Sequence, residues 1–254
     1  DAGNYDVVIN GSCAIPVTSQ PAALTITSTY NAVSSGLVFY LPFDGNNSEL
    51  TQNASNIGTY NYSPANDRFG VANKAAQFNG TARLEFAGSP LIPTGNSQYS
   101  ISVWINIPNG QWNDVNGICG WGNQTNYQSN RLRLASTGYL HYWWGNDFSV
   151  TATPAFNTWR HIVVTWDGTI QRFYENGVQI GTRTPGSSPN VALTNLFVGA
   201  TGVTGWGGEP FKGIMDDFRI YNRAINASEV NELYVFQPLT GVSISSSNSL
   251  CEGQ

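Results

Sequence analysis

The sequence predicts an all-β protein whose middle part, about two hundred residues, forms a two-sheet antiparallel sandwich. Three observations support this prediction. Apolar and polar residues alternate from about residue 36 to residue 220, Asn-Gly and Asp-Gly pairs typical of hairpin turns interrupt them, and helical periodicity is almost absent. A dozen or so strands at this spacing are typical of a sandwich.

The clearest single strand is the segment YSISVWINI. Its even and odd positions separate two faces, with Ile101, Val103, Ile105 and Ile107 on the apolar one. The segment WRHIVVTWDGTIQRFYENGVQIGT predicts three strands in a meander. Asp167-Gly168 and Asn176-Gly177 supply the positive-φ residues of two-residue hairpin loops between them.

Further strands are predicted wherever short alternating runs lie between Gly, Asn and Pro. They are Leu37–Phe43, Ala75–Phe78, Arg83–Ala87, Arg131–Ala135, Tyr139–Trp144, Phe148–Thr153, Asn195–Gly199 and Gly213–Tyr221. One short helix is predicted in NASEVNELY. Asn226 or Ser228 would cap it, and Val230, Leu233 and Tyr234 would face the body of the protein.

Composition excludes some partners. Lys and Arg number 11 against 16 Asp and Glu, and the isoelectric point is near 4.9. Because no basic face can form, neither nucleic acid nor an anionic membrane is an expected partner. No apolar run approaches the roughly 20 residues of a membrane helix. Two lysines and many Ser, Thr, Asn and Gly residues suit a secreted or cell-surface protein.

Both ends of the chain resemble pieces of immunoglobulin-like domains. In DAGNYDVVINGSC, Tyr5 matches the tyrosine that opens a late strand of that fold, and GVSISSSNSLCEGQ is similar to a first strand. We therefore predict partial immunoglobulin-like domains at residues 1–30 and 237–254, around one complete domain at residues 36–236.

Three cysteines make an odd count. Cys13 and Cys251 would each pair with a cysteine outside this chain if the flanking domains are partial, or they would pair with each other. Cys119 in NGICGWG is expected to be a small buried residue rather than a reactive thiol.

Five segments occur in an order that resembles a known family. They are LVFYLPFDGN, NKAAQFNGTARLEF, YSISVWINI, WRHIVVTWDG with FYENGVQIG, and FKGIMDDFRIYNRAINASEV. Together they resemble the laminin-G-like jelly rolls of the concanavalin A-like lectin and glucanase superfamily, over about four fifths of the chain. The resemblance implies two curved sheets and usually a structural calcium ion. The family includes lectins, carbohydrate-binding modules, spacers and some hydrolases.

Catalytic carboxylates are not expected. The Glu-x-Asp-x-x-Glu strand of the family's glucanases is absent, and Asp216 and Asp217 are predicted to point to opposite faces of a strand. His141 and His161 lie inside apolar strands, where a structural imidazole is the expected role. The sequence thus favours a protein that is not an enzyme.

Asp216 is the main candidate for a metal ligand. In GIMDDFRIY it has the parity of Ile214, Phe218 and Ile220, and a carboxylate on that core face needs compensation. Calcium would supply it, or Arg219 or Arg223 would do so without an ion. By position, the resemblance implies a calcium site formed by Asp44 or Asn46, Gly80 and Asp216.

Aromatic residues in Gly- and Asn-rich loops suggest a ligand site, because exposed rings stack on the apolar faces of sugars. Polar side chains beside them, Asp147 among them, would bond the hydroxyls. The alternative is that the loops bury their own rings as small clusters. The proposed rings are Trp112, Trp121, Tyr127, Trp144 and Trp206, whereas Trp104, Trp159 and Trp166 are assigned to the core.

These features predict a non-catalytic, carbohydrate-binding adhesion module in a long, secreted bacterial surface protein. The resemblance extends to the large adhesins of gliding Bacteroidetes. Its partners would be a polysaccharide or other glycan and the neighbouring immunoglobulin-like domains. A rigid spacer or protein-binding domain is the alternative, and a glycoside hydrolase ranks third.

Overall fold

The fold is described from a computed structural model. It describes residues 33–114, 116–202 and 209–236, and in the first 32 residues the backbone of four short strands. The chain divides into two compact units, Asp1–Ser35 and Gly36–Gln254. Tyr5 lies in one of the short strands, while Cys13, Cys251 and residues 237–254 lie outside the described residues.

The first unit contains two small antiparallel ladders. Strand β1 pairs with β4, and β2 pairs with β3. The strands are β1 (Gly3–Tyr5), β2 (Val8–Ile9), β3 (Val17–Thr18) and β4 (Ala22–Leu24).

The second unit is almost entirely β, as predicted. Its strands are β5 (Leu37–Leu41), β6 (Asn56–Tyr60), β7 (Ser63–Ala65), β8 (Ala75–Asn79), β9 (Arg83–Phe86), β10 (Tyr99–Asn106), β11 (Gly117–Gly122), β12 (Ser129–Ala135), β13 (Gly138–Tyr142), β14 (Asp147–Thr151), β15 (Trp159–Trp166), β16 (Gln171–Glu175), β17 (Val178–Arg183), β18 (Leu196–Val198) and β19 (Lys212–Tyr221). The sequence did not predict β6, β7 and β11, because they are short, exposed or rich in glycine.

The strands form two antiparallel sheets of a jelly-roll sandwich, which confirms the predicted fold class. The eight-stranded sheet has the order β17-β16-β15-β10-β19-β8-β7, and β5 also pairs with β19. The seven-stranded sheet has the order β14-β13-β12-β11-β18-β9-β6. Non-consecutive neighbours such as β10 and β19 mean that the sheets assemble through long-range pairing.

The core lies between the two sheets, where period-two alternation places the apolar residues of both. Ile101, Val103 and Ile105 of β10 are fully buried there, as the alternation predicts. Cys119 is also buried in this cluster, so its predicted role as a small apolar residue is confirmed.

A buried polar network crosses the core at one point. His141 of β13 contacts Asn130 Oδ1 at 2.6 Å and Gln171 Nε2 of the opposite sheet at 2.6 Å. Burial and the charge of Arg183 lower the pKa of His141 to about 3, which keeps the ring neutral. The structural role predicted for this histidine is confirmed.

The predicted meander is present, with one correction. Asn176 and Gly177 form a two-residue loop with φ of 49° and 81° between β16 and β17, as predicted. The loop between β15 and β16 instead has four residues, 167–170. The Asp167 side chain accepts hydrogen bonds from the backbone N–H groups of Thr169 and Ile170, which stabilises this longer turn.

A β-bulge in β19 overturns the predicted parity of its acidic pair. The register with β10 shifts between Ser102 and Trp104, and Asp217 has a φ of 51°. Because of the extra residue, Asp216 and Asp217 lie on the same face, and both bind Arg68. That face is the outer face of the eight-stranded sheet, so the predicted core-side position of Asp216 is wrong.

The single predicted helix is present as α1 (Ala227–Val235). Asn226 caps it by accepting a hydrogen bond from the Glu229 N–H, and the Glu229 carboxylate bonds the Asn226 N–H in return. Val230 and Leu233 are buried beneath it. Helix α1 thereby covers part of the outer face of the eight-stranded sheet, where Tyr234 stacks on Trp104.

Candidate functional site

An open cleft of about 230 Å³ lies on the outer face of the seven-stranded sheet. It is formed where β12 and β13 run beside the hairpin loop that leads into β14. Two predicted ligand residues, Trp144 and Asp147, line it. The other lining residues are Arg133, Leu140, Tyr142, Gly145 and Glu209.

The hairpin loop 143–146 places the rings of two adjacent tryptophans on opposite faces of the sheet. Trp143 is fully buried and donates a hydrogen bond from Nε1 to Tyr99 Oη at 2.9 Å. Trp144 has a φ of 65° and is only half-buried, with its ring at the cleft. This uncommon conformation turns the Trp144 ring away from the core.

Contacts on both sides hold this loop in place. Tyr127 donates its backbone N–H to the Trp144 carbonyl at 2.9 Å, so the third predicted residue supports the loop. Arg183 donates to Asn146 Oδ1 at 2.8 Å and to the Asp147 carbonyl at 2.7 Å. The Trp144 ring is therefore presented on a fixed backbone, which reduces the entropy cost of binding.

Two arginines of β12 lie against the aromatic rings of the cleft. The Arg131 guanidinium is 5.4 Å from the centre of the Trp144 ring, and that of Arg133 is 5.9 Å from the Tyr142 ring. Arg131 is buried, with 3% of its surface exposed. These cation–π contacts orient the rings and leave Trp144 half-exposed.

Two carboxylates complete the polar part of the cleft. Glu209 accepts hydrogen bonds from the Tyr142 hydroxyl at 3.0 Å and the Thr201 hydroxyl at 3.1 Å, and Arg133 Nε lies 3.5 Å from its Oε1. Asp147 is exposed. Burial raises the pKa of both carboxyl groups, although Arg133 opposes this shift at each. The cleft thus combines an apolar ring with acceptors for hydroxyl groups.

Two of the predicted ring platforms are not available to a ligand. Trp112 and Trp121 belong to the hydrophobic core, with 9% and 1% of their surfaces exposed. Their indole N–H groups are bound to the carbonyls of Ala135 and Pro93. Trp121 lies in β11, a strand that the sequence did not predict, and alternation turns its ring inward. Trp206 lies outside the described residues.

Three cleft residues with polar side chains were missed by sequence reasoning. Tyr142 and Arg133 could have been found from parity, because His141 of β13 and Leu132 and Leu134 of β12 are buried toward the core and their immediate neighbours must point out. Glu209 joins the cleft from a distant part of the chain. Nothing in the local sequence signals that contact.

The predicted calcium ligand Asp216 lies in a separate, covered cluster. Its carboxylate is 2.7 Å from Arg68 Nη1, and only about 5% of its side chain is exposed. Burial and the neighbouring Asp217 raise its pKa to about 8. The guanidinium of Arg68 already supplies the compensating charge. Asp216 therefore does not fit a calcium site, and its partner is not one of the two arginines considered from the sequence.

The other predicted calcium ligands make protein contacts of their own. Asp44 is exposed and lies 3.4 Å from Lys74 Nζ, and Asn46 Oδ1 accepts a hydrogen bond from the Ser48 N–H. Gly80 has a φ of 91° beside Lys212. Within the described residues, no group of three or more His, Cys, Asp or Glu side chains could hold a metal ion. Calcium binding through these three residues remains a prediction.

His161 lies on the same outer face as Asp216, beside Trp104. It contacts Ser102 Oγ at 2.8 Å and stacks on Trp104 with ring centres 5.1 Å apart. Burial and the charges of Arg219 and Arg68 lower its pKa to about 3. Its structural role is therefore confirmed. No helix in the described part of the chain is long and apolar enough to cross a membrane.

Comparison with solved structures finds the same fold in several binding domains. The binding domain of Paraclostridial Mosquitocidal Protein 1 matches with a TM-score of 0.63 and 20% identity, over 80% of this chain and 52% of that one. The botulinum neurotoxin serotype D ligand-binding domain in complex with N-acetylneuraminic acid matches with a TM-score of 0.61 and 13% identity, over 82% and 52%. This chain thus spans about half the length of these toxin domains.

A further match covers nearly the whole of a smaller domain. Domain 4 of AbnA, a GH43 extracellular arabinanase from Geobacillus stearothermophilus, solved in complex with arabinotriose, matches with a TM-score of 0.60 and 22% identity, over 78% of this chain and 98% of that one. At these identities the matches establish the fold alone. A search of curated proteins found no match.

A family model assigns the chain directly. The model named Laminin_G_3, described as the concanavalin A-like lectin/glucanases superfamily, matches residues 78–231, which is more than half of the chain. The matched region contains β9 to β19, which contribute to both sheets, and the first part of α1. The chain therefore belongs to the concanavalin A-like lectin/glucanases superfamily.

Proposed function

We propose that this protein is a non-catalytic carbohydrate-binding module and that the cleft at Trp144 holds the sugar. The observation that carries the proposal is the half-buried Trp144 ring, fixed at the edge of a polar cleft. An aromatic face stacks on the C–H groups of a sugar, while carboxylate and hydroxyl groups bond its hydroxyls. Two solved structures of similar fold are complexes, one with arabinotriose and one with N-acetylneuraminic acid, which supports a sugar as the ligand.

A rigid spacer is the second candidate. It is favoured by the burial of Trp112 and Trp121, two rings that the sequence placed among the ligand contacts. The spacer proposal requires that Trp144 serve only to close its hairpin. The two proposals therefore differ in what loss of this one ring would do.

The experiment is a binding screen followed by a single substitution. Wild-type protein would be titrated calorimetrically against plant and bacterial polysaccharides and their oligosaccharides. We expect micromolar to millimolar binding, and Trp144→Ala should weaken it by at least about tenfold, because the stacking surface is lost. Trp159→Ala is the matched control, since Trp159 is also half-buried but lies on the other sheet.

Two results would contradict the proposal. Flat titrations across the panel would favour the spacer. Equal binding by wild type and Trp144→Ala would mean that the sugar binds outside the Trp144 cleft. The same incubations should release no reducing sugar. Sugar release that disappears in Asp147→Asn or Glu209→Gln would instead indicate a hydrolase built on the two cleft carboxylates.

The biological setting is part of this proposal. A secreted, bacterial surface adhesin with neighbouring immunoglobulin-like domains is supported by the acidic, lysine-poor composition and by the resemblance of the two ends of the chain. A structural calcium ion at Asp44, Asn46 and Gly80 is supported by the family resemblance. The sequence of the parent protein and a metal analysis test these two points.

A further inference from the structure

We infer that the cleft selects neutral glycans and rejects sugars that carry a carboxylate. The inference rests on the proposed function, because it names the class of sugar that the same cleft would take. It follows from the contacts that the arginine and carboxylate groups in and around the cleft make.

The positive charges near the cleft are committed to protein groups. Arg183 donates to Gln171 Oε1, to Asn146 Oδ1 and to the carbonyls of residues 146 and 147. Arg133 lies beside Glu209, with 3.5 Å between Nε and Oε1. Arg131 is buried against the Trp144 ring. A carboxylate on a ligand would have to compete with Glu209 for Arg133, the arginine that lines the cleft.

The negative charges are the ones turned toward a ligand. Asp147 is exposed at the rim, and within the described residues no hydrogen-bond donor reaches its carboxylate. Glu209 also lines the cleft, although Tyr142 and Thr201 each donate to it. Both groups can accept hydrogen bonds from sugar hydroxyls. A ligand carboxylate has no proton to donate near neutral pH and would meet the exposed Asp147 carboxylate beside the ion pair of Glu209 with Arg133.

Two sugars bound to domains of similar fold represent the neutral and the acidic class of ligand. Arabinotriose, bound to the arabinanase domain, is neutral, and N-acetylneuraminic acid, bound to the neurotoxin domain, carries a carboxylate. The cleft described here, with two lining carboxylates and engaged arginines, suits the first class.

The test compares matched sugars that differ in charge. Uronic-acid oligosaccharides would be titrated beside their methyl esters, and sialylated glycans beside the desialylated forms. We expect every neutral member to bind at least about tenfold more tightly at low salt, and the ratio to fall as salt is raised, because added ions screen the repulsion.

Asp147→Asn and Glu209→Gln identify the source of the discrimination. Each keeps an acceptor and removes a charge, so each should lower the neutral-to-acidic ratio several-fold, and it is this ratio and not the absolute affinity for the neutral sugar that is compared. Asp44→Asn is the control, because Asp44 is an exposed carboxylate that does not line the cleft. It should leave the ratio unchanged.

The outcomes separate the inference from the proposed function. Tighter binding of the acidic members, or a ratio that neither substitution changes, overturns the inference while glycan binding stands. Failure of all members to bind removes the proposed function and the inference with it. Neutral preference that is lost in Asp147→Asn supports both.

Discussion

The outer faces of the two sheets carry similar chemical groups, but Asp147 is exposed on one face whereas Asp216 and Asp217 are buried on the other. In the cleft, Arg131 and Arg133 lie against Trp144 and Tyr142, beside two carboxylates. On the other sheet, Arg68 and Arg219 lie against Trp104 and Tyr40, at 4.8 Å and 4.2 Å, and bind Asp216 and Asp217. The four charged side chains of this second cluster, which we call the covered cluster, are 3% to 9% exposed.

Coverage accounts for the difference. Helix α1 and the segment carrying Arg68 lie over the outer face of the eight-stranded sheet, where Tyr234 stacks on Trp104. The covered cluster then satisfies its charges internally, and the Tyr40 hydroxyl donates to Asp217 at 2.5 Å. Each face also has an open cavity, at Trp144 on one sheet and beside Trp104 and Trp159 on the other. The same residue types therefore bind one another on one face, and on the other they line the cleft of the proposed sugar site.

The largest expected effect is the loss of Arg68 from the covered cluster. Arg68→Met leaves two adjacent buried carboxylates without their shared cation, so we expect the free energy of unfolding to fall by about 3 to 5 kcal/mol. Urea unfolding measures it. At temperatures where the variant is folded, glycan binding should be unchanged, because the proposed sugar site lies on the other sheet.

A surface ion pair is the control for this substitution. Arg172 Nη1 lies 2.7 Å from Asp167 Oδ2, and 28% and 30% of the two side chains are exposed. Arg172→Met should change the free energy of unfolding by less than about 1 kcal/mol. If Arg68→Met costs no more than Arg172→Met, the covered cluster does not stabilise the fold and the comparison of the two faces fails.

A smaller effect is expected from the two buried histidines on acidification. The pKa values of His141 and His161 are about 3 in the folded protein against 6.5 for an ordinary histidine. Below pH 6.5 the unfolded chain takes up protons that the folded state does not. Between pH 7 and pH 5 each histidine therefore contributes a loss of stability on the order of 2 kcal/mol.

Substitution isolates this contribution from the carboxyl groups. Asp216, with its pKa raised to about 8, acts in the opposite direction, because the folded state binds its proton first as the pH falls. We therefore compare wild type with His141→Gln in urea at pH 7, 6 and 5. The stability advantage of wild type should narrow as the pH falls. Parallel curves would mean that His141 is protonated in the folded state.

The two faces were unequally predictable from sequence. Alternation alone predicted β10 and β15, because successive side chains of a strand point to opposite faces of the sheet. The bulge at Asp217 could not be predicted from the sequence. Because of the one extra residue, the side chains after it in β19 have the opposite odd-even pattern of inward and outward positions from those before it. Consequently Asp216 was assigned to the wrong face and to a metal rather than to Arg68.

The candidate site was predicted in part. Trp144 and Asp147 were found because a ring and a carboxylate in a Gly-Asn turn are exposed more often than not, and Tyr127 supports the same loop. Trp112 and Trp121 looked similar in sequence but are buried. Their neighbours in space, Ala135 and Pro93, are far away in sequence, so local composition carried no sign of that packing.

The smallest expected effect concerns metal removal. Because Arg68 already binds Asp216, a chelator should shift the melting temperature of wild type and of Asp216→Asn by the same amount, within about 1 °C. Thermal melts with and without chelator measure this. A fall of several degrees in wild type alone would identify Asp216 as a calcium ligand and contradict the account of the covered cluster.

The most direct test of the difference between the two faces is the indole N–H region of a nitrogen–proton NMR spectrum during titration with a neutral oligosaccharide. Signals are assigned with Trp144→Ala and Trp104→Phe. The account predicts that the Trp144 signal moves in proportion to bound sugar while the Trp104 signal stays in place. Movement of the Trp104 signal with an unmoved Trp144 signal would contradict it.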